Sequence, residues 1–129
     1  MTEAKIVDII VKELKKKGYT VRTEIANLYR SADIVVLDDE DKIWIIECKI
    51  SNIKKALDQI KIHKLSADKV FIGTNYKNTK KSTLEKLNEA GVGLLYVMPD
   101  GTLAKALDSS NNCNPWTTTR ERLRERILR

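Results

Sequence analysis

The chain has 129 residues, 42% hydrophobic and 33% charged, with a net charge of +6 and an isoelectric point near 9.3. That balance describes one folded domain, excludes a disordered chain or two independent cores, and favours a polyanionic partner. The longest apolar runs span only a few residues, so no signal segment or membrane span is expected, and Cys48 and Cys113 make no disulfide framework, which points to a reduced, cytoplasmic protein.

Thr2 is placed to cap a first helix running to about Lys17, closed by Gly18. Ile6, Ile10 and Leu14 form its apolar stripe, and Glu3 projects onto that stripe one turn earlier, where it also suits the helix dipole. Tyr19 to Ile25 reads as a strand, with Val21, Thr23 and Ile25 on one face and Arg22 and Glu24 on the other. An irregular stretch from Ala26 to Arg30 follows. Arg30 and Ser31 precede Asp33 either as phosphate contacts or as an ordinary surface loop.

The most informative stretch is Asp33-Ile34-Val35-Val36-Leu37, an acidic turn, then Ile43-Trp44-Ile45-Ile46-Glu47-Cys48-Lys49. Two core-like strands each carry charge at one end, and buried charge is costly unless paired or bound to an ion. A five-residue loop, Asp38 to Lys42, pairs Leu37 with Ile43 and Val35 with Ile45, and so sets Asp33 opposite Glu47. Ile43, Ile45, Glu47 and Lys49 then share a face. Two carboxylates about 4 Å apart repel by roughly 4 kcal/mol at an effective dielectric of 20. A proton or a cation relieves that repulsion, and oxygen-only ligands suit Mg²⁺ or Mn²⁺. The competing reading is a buried ion pair between Glu47 and Lys49.

Ser51 or Asn52 is placed to cap a second helix through about Leu65, with Ile53, Leu57 and Ile60 inward. Asn52, Ala56, Gln59 and His63 line an adjoining face. Lys54, Lys55, Lys61 and Lys64 make this helix basic, a phosphate-tracking surface. His63 is read as a nucleic-acid contact or proton-transfer group, or as part of a solvated face. Ala67 to Gly73 is a strand broken at Gly73-Thr74-Asn75. Ser82 and Glu85 form a capping box for a helix ending near Gly91, and Val92 to Val97 is a strand parallel to the last one, completing a βαβ unit. Leu103 to Leu107 reads as an edge strand. Residues 1–107 are expected to form the main domain. Residues 108–129 add a polar linker and a helix of five arginines and two glutamates, anchored by Trp116.

Asp33, thirteen intervening residues and Glu47-Cys48-Lys49 resemble the PD-(D/E)xK motif of the restriction-endonuclease-like nucleases, with Ala32 where the formal motif has proline. The resemblance covers roughly residues 1 to 98 and implies an α/β fold: a central mixed sheet with an N-terminal helix, a catalytic hairpin and a βαβ unit. It implies a Mg²⁺- or Mn²⁺-dependent endonuclease acting on DNA. Asp33, Glu47 and the backbone carbonyl of Cys48 would hold the metal, with Glu24 or Glu3 as accessory ligands, and Lys49 would support the attacking water or the transition state. Gln59 falls where many members carry Gln-x-x-x-Tyr facing the active site, with His63 in place of the tyrosine. Lys54, Lys55, Arg30 and His63 are the expected DNA contacts. The small size is similar to that of archaeal Holliday-junction resolvases and minimal repair or restriction nuclease domains, and paired cuts by such enzymes imply a homodimer. The alternative is a non-catalytic nucleic-acid-binding or assembly module on the same fold.

Overall fold

The computed structural model describes residues 1–28, 30–110 and 115–129, and of Arg30 the backbone alone. Cys113 and the middle of the expected linker therefore lie outside the described residues. The elements run α1 (Glu3–Lys16), β1 (Thr20–Asn27), β2 (Arg30–Leu37), β3 (Ile43–Cys48), α2 (Ile53–His63), β4 (Lys69–Asn75), α3 (Lys81–Glu89), β5 (Gly93–Val97), β6 (Leu103–Leu107) and α4 (Thr117–Leu128).

The six strands form one mixed sheet in sequence order. β1, β2 and β3 are antiparallel neighbours, β3, β4 and β5 are parallel, and β6 returns antiparallel at the edge. The parallel steps carry α2 and α3 as their crossovers, as short βαβ connections require. Val35 pairs Ile45 and Leu37 pairs Ile43, the register expected from the five-residue loop. Asp38 holds that loop: its Oδ1 accepts from the amides of Glu40 and Lys42, and its Oδ2 from the Trp44 indole.

The sheet is covered on both faces. Ile6, Ile10 and Leu14 of α1 pack on Val21, Ile34, Val36, Ile46, Cys48 and Phe71. On the other face α2, α3 and α4 bury Ile53, Ala56, Ile60, Leu87, Leu123 and Ile127 against Val35, Ile45, Val70, Ile72 and Leu94. Because strand side chains alternate, these two clusters use opposite parities of the same strands.

Several boundaries differ from expectation for local reasons. β1 and β2 extend into the stretch expected to be irregular and pair up to Asn27 and Arg30, with Leu28 in the left-handed region that a tight connection needs. β4 runs through Gly73 to Asn75. A side chain at Gly73 would bring its Cβ within 2.5 Å of Ile10 Cδ1, so this glycine admits α1 to the sheet and makes no turn. α3 begins at Lys81 with Lys80 at the cap position and no side-chain cap, so the Ser82–Glu85 capping box does not form. Asn52 holds the cap position of α2 in a left-handed conformation and likewise makes no side-chain bond. Thr2 does cap α1, accepting from the Lys5 amide at 3.2 Å.

The C-terminal helix is docked by residues other than the expected anchor. Trp116 is 59% exposed, whereas Leu123 and Ile127 are buried in the core. Arg120 holds Asp68 through its Nε and Nη2 and reaches the carbonyl of Asp41. Arg124 meets the Asp41 carboxylate, and Arg126 reaches the carbonyl of Ala26. Among the described residues, three of the four arginines of α4 thus make intramolecular side-chain bonds. Among the described residues no helix is long and apolar enough to cross a membrane.

Candidate active site

β3 ends at Cys48 while β2 runs on past it to Arg30, and the last pairing of the two strands before the site is Ile34 with Ile46. One step further, the Asp33 carboxylate accepts from the Cys48 amide at 2.9 Å, close enough to Glu47 to feel its charge. The register that was expected to set Asp33 opposite Glu47 holds as far as Ile34 with Ile46. Burial, and then the neighbouring Glu47, push Asp33 up from 3.8 to about 6, against the pull of the Cys48 amide and of Lys49. Asp33 is half-buried; Glu47 is 4% exposed.

Glu47 finds its partner in His63, not in Lys49. The His63 ring is 0% exposed, and its Nε2 lies 2.8 Å from Glu47 Oε1. Its Nδ1 lies 2.9 Å from the amide nitrogen of Asn27, itself 2% exposed. An amide nitrogen only donates, so Nδ1 accepts and Nε2 carries the hydrogen given to Glu47. The chain Asn27–His63–Glu47 thus fixes one carboxylate oxygen. His63 was expected to contact nucleic acid or belong to a solvated face, and its complete burial corrects both readings. The stripe Ala56–His63 of α2 turns towards the sheet because Glu47 offers a buried acceptor there.

Asn27 was missed, and the reason lies at Glu24. Val21 and Ile34 pack with the α1 core, so regular alternation would send Ile25 and Ala32 to that side as well. They pack instead with the α2–α4 core. Between them Glu24 adopts a left-handed backbone with φ 53°, and the strand changes sides there. That switch carries Asn27 to His63. Hydrophobic alternation gives no warning of it.

The other expected site residues fall as follows. Gln59 is half-buried one turn before His63 on the same face of α2, and Lys49 is half-buried just past β3. Lys54 and Lys55 are exposed at the start of α2. Glu24 is exposed in the strand opposite Asp33, while Glu3 is exposed on the α1 side. Burial, then the charges of Asp33, Glu47 and Glu3, push the Cys48 thiol up, which places Glu3 within electrostatic reach of the strand end. The Arg30 side chain lies outside the described residues.

The donor set is two carboxylates with one oxygen each already engaged, plus backbone oxygen. Hard oxygen donors of this kind fit Mg²⁺ or Mn²⁺ more than Zn²⁺. Among the described residues no group of three or more His, Cys, Asp and Glu side chains is gathered to hold a metal, so side chains alone make no closed cage.

No family model matches the sequence, and no curated protein does. Solved structures do match in fold. A protein of unknown function from Silicibacter pomeroyi superposes with a TM-score of 0.71 at 17% identity, over 99% of this chain and 85% of that one. A repair endonuclease from Pyrococcus abyssi superposes with a TM-score of 0.57 at 14% identity, over 77% of this chain. This chain spans about half of that endonuclease, 48% of its length. At such identities the likeness concerns the fold alone.

Proposed function

We propose that the protein is a metal-dependent nuclease hydrolysing phosphodiester bonds in DNA, on a restriction-endonuclease-like core. The observation that carries the reading is that an otherwise apolar hairpin ends on two carboxylates fixed side by side in the strands, Asp33 on the Cys48 amide and the buried Glu47 on His63. Burial and then the Glu47 charge push Asp33 up to about 6. A fold that keeps two such carboxylates together sustains a repulsion that a divalent cation removes. The fold likeness to a repair endonuclease supports the same class.

In this reading Asp33, Glu47 and the Cys48 carbonyl hold Mg²⁺ or Mn²⁺. Bound there, the ion would polarise the scissile phosphate and lower the pKa of the attacking water. Asn27 and His63 keep Glu47 from rotating, so the carboxylate enters the reaction already oriented. The Cys48 amide does the same for Asp33. Lys49 sets a positive charge beside the carboxylates, where negative charge develops on the phosphate oxygens. Gln59, one turn from His63, faces the same end of the hairpin and orients substrate or Lys49. Lys54 and Lys55 continue the positive surface along α2.

The second reading is a nucleic-acid-binding module without catalysis. That the described residues gather no three His, Cys, Asp or Glu side chains around one point favours it. One experiment separates the two. Supercoiled, linear, single-stranded and four-way-junction DNA are incubated with protein and Mg²⁺ or Mn²⁺, beside Asp33→Ala and Lys49→Ala. Metal-dependent cleavage lost in both variants supports the nuclease, cleavage surviving both sinks it, and binding without cleavage under either metal supports the module.

A further inference from the structure

A hollow lined by three lysines lies where α2 and α3 begin, beyond the ends of the parallel strands β3 and β4. Its volume is about 350 Å³, and its walls include Asn52, Ile53, Lys54, Lys77, Lys80 and Thr83. No acidic side chain is among its lining residues. Ligands of open α/β sheets collect at this end of the strands, where helix N-termini converge.

Several features of the hollow suit an anion. α2 and α3 both start without a side-chain cap. Among the described residues the first two amides of α2, Ile53 and Lys54, donate to no carbonyl or side chain, so two helix donors are left without a protein partner. Thr83 is 8% exposed, and its hydroxyl makes no hydrogen bond to protein, yet it is not sealed from solvent. Thr83 lines the hollow, so this unpartnered and accessible hydroxyl is available to a ligand there. Lys77 is tied down through its ammonium to the carbonyl of Ile50. Lys54 and Lys80 form no ion pair among the described residues.

We propose that this hollow is a phosphate-binding subsite, taking a phosphate of the DNA some distance along the strand from Asp33 and Glu47. The assignment of that phosphate to DNA rests on the nuclease reading; the anion site itself does not. Backbone amides and the Thr83 hydroxyl define a fixed place for phosphate oxygens, and the lysines supply charge. A phosphate seated there fixes the register of the strand relative to the hairpin.

Binding is measured without metal, so the result is independent of cleavage. Inorganic phosphate is titrated into the full-length protein by amide NMR. The largest shifts are expected at Ile53, Lys54 and Thr83. Lys80→Ala is expected to weaken the affinity at least tenfold and the isosteric, uncharged change Thr83→Val about fivefold, with Lys15→Ala on α1 under twofold. Equal weakening by Lys15→Ala and Lys80→Ala, or wild-type affinity in Thr83→Val, overturns the site. Duplexes ending in 5′-phosphate or 5′-hydroxyl then identify the source. A preference for the 5′-phosphate that Lys80→Ala and Thr83→Val abolish assigns a terminal phosphate, and equal binding of both ends weakened by both variants assigns an internal one. DNA affinity unchanged in both variants overturns the DNA assignment, even if inorganic phosphate binds. Failure of metal-dependent cleavage, by contrast, removes the nuclease and leaves these outcomes standing.

Discussion

Asp33 pays for its position with stability, and that makes its contribution measurable without substrate. Its folded value of about 6 lies above the ordinary 3.8, so the folded state binds the proton more tightly than the unfolded chain. The penalty is absent below about 3.8, grows as pH rises towards 6, and is complete above it. A rise from 3.8 to about 6 is worth roughly 3 kcal/mol for a fully shielded group. Asp33 is only half-buried, so screening leaves on the order of 1 kcal/mol. Asp33→Asn is expected to raise the denaturation midpoint at pH 7.5 and to lose that advantage towards pH 4. A midpoint gain that does not change with pH contradicts the assignment. His63→Ala acts in the opposite direction. It strands the buried Glu47 and Asn27 without a partner, a loss of about 2–4 kcal/mol in urea unfolding at neutral pH. The charges at the strand ends were legible because an apolar strand has no other reason to carry them. The role of His63 was not, since a lone histidine among lysines on an amphipathic helix has the pattern of a solvated face.

At the scale of elements, the hairpin register followed from loop length, because the five residues Asp38–Lys42 admit only one pairing of Val35 and Leu37 with β3. What escaped was the break of alternation in β1, which depends on one left-handed residue. Glu24 at φ 53° lies where a non-glycine side chain costs about 1 kcal/mol. Glu24→Gly is therefore expected to be neutral or to stabilise by up to about 1 kcal/mol, whereas Glu24→Val destabilises by more than that and weakens the packing of Asn27 on His63. Thermal unfolding of the pair is the check; equal behaviour of Gly and Val removes the strain argument. Gly73 gives the complementary case. Its Cβ would meet the Cδ1 methyl of Ile10 at 2.5 Å, so Gly73→Ala makes Ile10 repack within a filled core and is expected to cost about 1–3 kcal/mol. The strand-breaking reading of Gly73 failed because close approach and turn formation select the same residue.

At the scale of the molecule, the net charge of +6 is divided unevenly in purpose. Arg120 and Arg124 are spent on Asp68 and Asp41 inside the fold, while Lys54, Lys55 and Lys80 remain exposed on one end. The mixed α/β class, the β2–β3 hairpin and the parallel β4–β5 pair were legible from apolar periodicity and the βαβ rule, whereas the placement of β1 beside β2 and of β3 beside β4 was not. The docking of α4 was not, because its arginines read equally well as phosphate ligands. DNA affinity should fall steeply between 50 and 200 mM salt, by about tenfold or more if a few phosphates are contacted. Lys54→Ala with Lys55→Ala should flatten that dependence, and Arg124→Ala should leave it unchanged. A flattening by Arg124→Ala returns α4 to the binding surface.

The clasp of α4 also has a consequence in time. Arg126 closes on Ala26 across 100 residues and Arg124 on Asp41 across 83. Closing a loop of that length costs on the order of 4 kcal/mol before any contact rewards it. Such a helix joins late and leaves early. Amides of α4 should exchange with solvent through openings that leave β3, β4 and β5 intact. Until the helix arrives, β1 and β2 lack the cover that Leu123 and Ile127 provide, so amides at the Asn27–His63 end of the hairpin are expected to exchange together with those of α4.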